Sequence, residues 1–84
     1  MPYYLITCRS LTYAQRTARV LERVGIRARV QRAPASVAEE GCGYCVRLAE
    51  RDLKQAVQQL SAAELPVRHI YAVQPDGSLR EVFL

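Results

Sequence analysis

One short stretch of the 84-residue chain concentrates its reactive chemistry: Gly41-Cys42-Gly43-Tyr44-Cys45. A thiol between two glycines has no bulky neighbour in sequence, and the backbone beside it can approach a reacting partner closely. Deprotonated, such a sulfur is a nucleophile that takes up a sulfur or selenium atom as a persulfide or selenosulfide and passes it on. Cys42 is therefore the candidate chalcogen acceptor, with Gly41 and Gly43 shaping its surroundings. Cys42-x-x-Cys45 also has the spacing of a redox dithiol, but that motif draws its reactivity from the start of a helix. Here it runs into an alternating segment that predicts a strand, where residues three apart point to opposite faces. A disulfide would need the chain to bend at Gly43, and Cys45 alone reads as a sheet-packing residue. A metal site would recruit Cys8 as a third ligand. No second pair and no nearby histidine completes a zinc pattern, so neither a metal nor a bound cofactor is expected.

Cys8 ends the first apolar run and is a candidate resolving thiol for a Cys42 intermediate, against the alternative of a buried strand end. His69, the single histidine, is a candidate proton relay; without a paired acid it does not build a triad. Arg9, Ser10 and Arg68 are candidates for an anion-stabilising environment, together with the leading amides of the first helix, which would lower the pKa of a neighbouring thiol.

The elements that position these residues follow from periodicity. Tyr3 to Cys8 reads as a buried strand. Ser10 caps a helix whose apolar face is Leu11, Ala14, Ala18 and Leu21, with Arg16, Arg19, Glu22 and Arg23 opposite. Gly25 stops it in the left-handed region, with Ile26 making the accompanying apolar contact. Ile26, Ala28 and Val30 alternate with Arg27, Arg29 and Gln31 in a half-buried strand with a basic outer face. Residues 33–41 form a loop. A third strand places Tyr44, Val46 and Leu48 on one face and Cys45 and Arg47 on the other. A second helix runs from about Glu50 to Ala63, with Glu50 and Asp52 at its positive end and an inward stripe of Leu53, Ala56, Val57 and Leu60. Val67 to Val73 is a fourth strand, Pro75-Asp76-Gly77-Ser78 a turn, and Leu79 to Leu84 a returning fifth strand.

The order β-α-β-β-α-β predicts a ferredoxin-like α+β sandwich: an antiparallel sheet with two helices on one face and an extra C-terminal strand. With right-handed crossovers, the first and third strands are central and run in opposite directions. The end of the first strand, the start of the first helix, the loop between strands two and three and the start of strand four then share one edge. That edge gathers Cys8, Arg9, Ser10, Cys42, Arg68 and His69.

Composition bounds the function. The chain is one domain, 1–84, half apolar and 24% charged, which is ordinary for a globular fold. No run approaches the ~20 apolar residues of a membrane span, and the opening segment lacks the length and charge of a signal peptide. Three cysteines without an export signal point to free thiols in a reducing cytoplasm. Twelve basic residues, eleven of them arginine, face eight acidic ones. They read as solvated helix and strand faces, and nucleic acid is not an expected partner: no Arg/Lys-Gly-Phe-type segment is present, although Tyr3, Tyr4, Tyr44 and Tyr71 supply aromatics. No acid/base pair accompanies the thiol, so a carrier is expected in preference to an enzyme. The alternative is a non-catalytic interaction or small-ligand-binding module, with an exposed edge strand as the route to a dimer. The charged segment 27–32 discourages such pairing, which leaves 79–84 as the better edge.

The opening strand ending near a serine, the helix end Leu21-Glu22-Arg23-Val24-Gly25-Ile26, the Pro34 loop, Gly41-Cys42-Gly43-Tyr44 and the segment Val67-Arg68-His69-Ile70-Tyr71 together resemble the selenium/sulfur carrier protein-like family. The similarity covers nearly the whole chain. It implies that Cys42, and Cys42 only, is the carrier cysteine; the family's pattern does not require a cysteine at position 45. It further implies a donor such as a cysteine desulfurase or lyase, an acceptor biosynthetic enzyme, and no cofactor. The Cys-Pro-x-Pro helix start of other sulfur-relay proteins is absent.

Overall fold

The computed structural model describes residues 3–37, 43–65 and 67–83. The elements are β1 (Tyr3–Cys8), α1 (Leu11–Arg23), β2 (Arg29–Arg32), β3 (Tyr44–Ala49), one 3-10 turn (Glu50–Asp52), α2 (Leu53–Ala62), β4 (Ile70–Val73) and β5 (Leu79–Val82). They form a single five-stranded sheet ordered β2-β3-β1-β4-β5 in which every neighbouring pair is antiparallel. This is the expected ferredoxin-like α+β arrangement, with β5 added beyond β4 and with β2 and β5 as the edges.

Four boundaries differ from the sequence reading. The second strand begins at Arg29 and not at Ile26, although Ile26 and Ala28 are buried as that reading expected. The second helix begins at Leu53: Glu50 and Asp52 fall in the 3-10 turn, and the Asp52 side chain makes no capping bond. The fourth strand starts at Ile70 and not at Val67, although the amide of Thr7 still donates to the carbonyl of His69 (3.1 Å), continuing the β1–β4 ladder by one step. The fifth strand ends at Val82.

Both helices end alike. In α1 the amides of Gly25 and Ile26 donate to the carbonyls of Glu22 and Leu21, with Gly25 at φ +83°; this pair of bonds is a Schellman stop. In α2 the amides of Glu64 and Leu65 donate to Ser61 and Leu60 in the same way, but Glu64, at φ +61°, occupies the left-handed position with a side chain. Ile26 and Leu65, the residues just past each stop, are both buried.

Strand alternation divides the sheet residues. Tyr4, Ile6 and Cys8 of β1, with Val46 and Leu48 of β3 and Ile70 of β4, join Ala14, Ala18, Leu21, Leu53, Ala56 and Leu60 in the core between sheet and helices. Enclosing a side chain such as Leu21 or Leu60 contributes about 1.5–3 kcal/mol relative to leaving it in water. The helix-free face carries Leu5, Thr7, Cys45, Arg47 and Tyr71. It is not bare, because Leu5, Thr7 and Cys45 are all buried.

Candidate functional site

Of the sheet edge singled out from the sequence, the structure describes the part where β1 ends, without Cys42. Cys8 lies opposite Tyr44 and Thr7 opposite Cys45 on β3, while His69 follows Thr7 across the ladder to β4. Ser10 starts α1 as expected: its backbone is extended (φ −161°, ψ 164°) and its Oγ accepts from the Tyr13 amide at 3.0 Å. That hydroxyl is therefore already engaged in capping. Arg9 is exposed and lays its guanidinium over the Tyr13 ring, 4.6 Å from the centroid. Arg68 is exposed. Gly41 and Cys42 lie outside the described residues.

Gly43 accepts from the Ala33 amide at 2.6 Å, which closes the base of the loop between β2 and β3. A Cβ built there meets nothing within 4 Å, so no local crowding demands glycine at this position.

The two described cysteines are both enclosed. Cys8 is 3% exposed, belongs to the core beneath the helices and donates from Sγ to the carbonyl of Ile6 at 3.7 Å. Cys45 is 0% exposed on the opposite face and donates to the carbonyl of Arg32 at 3.9 Å. Beside Cys45, Thr7 Oγ1 is buried and meets no hydrogen-bond partner among the described residues. Among the described residues, no group of three or more His, Cys, Asp or Glu side chains is placed to hold a metal ion, and no helix is long and apolar enough to cross a membrane.

The structure supplies an acid partner for His69 that the sequence reading missed. Glu81 Oε2 lies 2.8 Å from His69 Nδ1, with the two side chains 38% and 33% exposed. The His69 ring also stacks near Tyr71, with centroids 6.3 Å apart and planes at 26°. The signal was present in the turn. Once residues 75–77 are read as a three-residue hairpin loop, Glu81 falls opposite Tyr71 and diagonal to His69. Just past the end of β5, the edge strand that was expected to be the freer one, Phe83 is 83% exposed.

A family model described as "Putative Se/S carrier protein-like" matches residues 3–72, from the start of β1 into β4. No curated protein and no solved structure matches the chain.

Proposed function

The chain belongs to the Se/S carrier protein-like family, and from that membership we propose that Cys42 carries a sulfur or selenium atom between a donor and an acceptor enzyme. The observation that supports Cys42 over its rivals is the enclosure of the other two thiols: Cys8 and Cys45 are buried on opposite sides of the sheet. Cys42 lies outside the described residues; in sequence it stands between two glycines.

The chemistry balances without a cofactor. The Cys42 thiolate attacks the outer sulfur of a donor persulfide, the donor's inner sulfur leaves as a thiolate, and Cys42 becomes a persulfide. A nucleophile on the acceptor then attacks that outer sulfur and regenerates the Cys42 thiolate. Selenium follows the same path as a selenosulfide. The protein is loaded and unloaded once per atom moved, and in that sense it acts as a carrier. In a resolving role, the Cys8 thiolate would attack the inner sulfur of Cys42, expel hydrosulfide and leave a Cys8–Cys42 disulfide. That step requires the core to open around Cys8.

Mass spectrometry after incubation with cysteine persulfide tests the proposal. The native chain, Cys8→Ala and Cys45→Ala each gain one sulfur atom, and Cys42→Ser gains none. Equal adducts on the native chain and on Cys42→Ser would remove the carrier reading.

A further inference from the structure

The end of the sheet farthest from Cys8 carries a second concentration of function-bearing side chains. Arg27, Arg29, Arg47 and Arg51 line one hollow, together with Tyr3 and Asp52, where α1 stops at Gly25, β3 ends and the 3-10 turn begins. Tyr3 and Cys8 are the two ends of β1, about 17 Å apart at ~3.3 Å per strand residue. This hollow is therefore separate from the edge that gathers Cys8, Ser10 and His69.

Stability does not account for its composition. Arg29 and Arg47 are directly opposed on β2 and β3, and like charges facing each other across a sheet are destabilising. Four guanidiniums share the hollow with the single carboxylate of Asp52, and none of the four forms a salt bridge with a carboxylate among the described residues. Arg47 is held instead by the face of Tyr3, its guanidinium carbon 3.9 Å from the ring centroid. Such a contact fixes the side chain while leaving its N–H donors open to a ligand. Four guanidiniums around one carboxylate, with Arg47 held in place by an aromatic face, make a receptor for an anion.

The ligand's class follows from charge and shape. A lone carboxylate offers one charge to four arginines. A chain of phosphoryl groups offers several, each with oxygens that match the guanidinium fork in pairs. The hollow is walled by a helix end, the sheet and the 3-10 turn, which suits a compact anion better than a strand lying across a surface. We propose that it binds a polyphosphate: inorganic pyrophosphate or the phosphate chain of a nucleotide.

Calorimetry at low salt with pyrophosphate, inorganic tripolyphosphate, a nucleoside triphosphate and a single-stranded oligonucleotide tests this. One saturable site is expected for pyrophosphate, with affinity about tenfold weaker in Arg29→Gln and in Arg51→Gln, each of which removes one charge-assisted contact pair. Arg16→Gln, on the exposed face of α1, retains native affinity, and so does Cys42→Ser, which separates this site from sulfur transfer. Equal binding of pyrophosphate and the triphosphate assigns recognition to the phosphate chain alone; binding of the triphosphate tighter than that of inorganic tripolyphosphate adds the nucleoside to the ligand. Without ligand, Arg29→Gln melts higher than the native chain, because it relieves the opposed pair. Absence of saturation, binding by the oligonucleotide only, equal weakening in Arg16→Gln, or a lower ligand-free melting temperature for Arg29→Gln would each overturn the proposal.

Discussion

Cys8 and Cys45 occupy adjacent central strands one register step apart, and for that reason they face opposite sides of the sheet. Cys8 pairs with Tyr44 and looks toward the helices; Cys45 pairs with Thr7 and looks away from them. A disulfide needs both Cβ atoms on one side and roughly 3.5–4.5 Å apart, and a shared metal ion needs both sulfurs on one side. The register denies both.

The first prediction concerns these two thiols. Alkylation of the native protein leaves Cys8 and Cys45 unmodified, and both react once the chain is unfolded in denaturant. Oxidation of the folded protein produces no peptide that links them. Such a linked peptide, found by mass spectrometry without prior unfolding, would contradict the β1–β3 register.

A second prediction follows from Thr7. Its Oγ1 is buried with no hydrogen-bond partner among the described residues, and an unsatisfied buried hydroxyl costs stability. Thr7→Val keeps the branched shape and exchanges the hydroxyl for a methyl. We expect a gain of about 1 kcal/mol, read as a rise in melting temperature of about 4–8 °C for a domain of this size. A loss of stability would mean that the hydroxyl is engaged after all.

Much of this fold was legible because its signals are local. Ser10 reads as a cap from its place before an apolar stripe, and Gly25 followed by Ile26 reads as a helix stop; both hold in the structure. The alternation of Tyr44, Val46 and Leu48 with Cys45 and Arg47 gave the two faces of β3. What stayed hidden depends on pairing between strands. The approach of Glu81 to His69 and the opposition of Arg29 and Arg47 exist only once register is fixed, and no single segment announces register. The left-handed Glu64 was hidden for a related reason. A glycine advertises such a conformation, whereas a glutamate is forced into it when Leu65 is drawn into the core behind it.

The matching stops of the two helices make a paired prediction. A Cβ at Gly25 would meet nothing within 4 Å, so Gly25→Ala suffers only the left-handed backbone, at about 1–2 kcal/mol, partly offset by a stiffer unfolded chain. Glu64→Gly runs the same exchange in reverse. Chemical denaturation is expected to show shifts of opposite sign and similar size, near 1 kcal/mol each. Shifts of the same sign would refute the equivalence of the two stops.

The β4–β5 hairpin supplies a pH prediction. Gln74 and Ser78 close a three-residue loop, with Gly77 at φ +88°. Asp76 Oδ1 accepts from the Ser78 hydroxyl at 2.6 Å and from its amide at 2.9 Å. These bonds favour the charged carboxylate, the hydroxyl bond most, and hold the Asp76 pKa below its ordinary value. The unfolded chain, lacking them, takes up the proton at a higher pH than the folded one. The contribution of Asp76 is therefore complete above the ordinary aspartate range and disappears as the pH falls through the lower folded value. An NMR titration is expected to place the Asp76 carboxyl midpoint below that of a free aspartate, and Ser78→Ala, which removes the hydroxyl but keeps the amide, moves the midpoint part of the way back. A midpoint unchanged by Ser78→Ala would transfer the whole effect to the backbone amide.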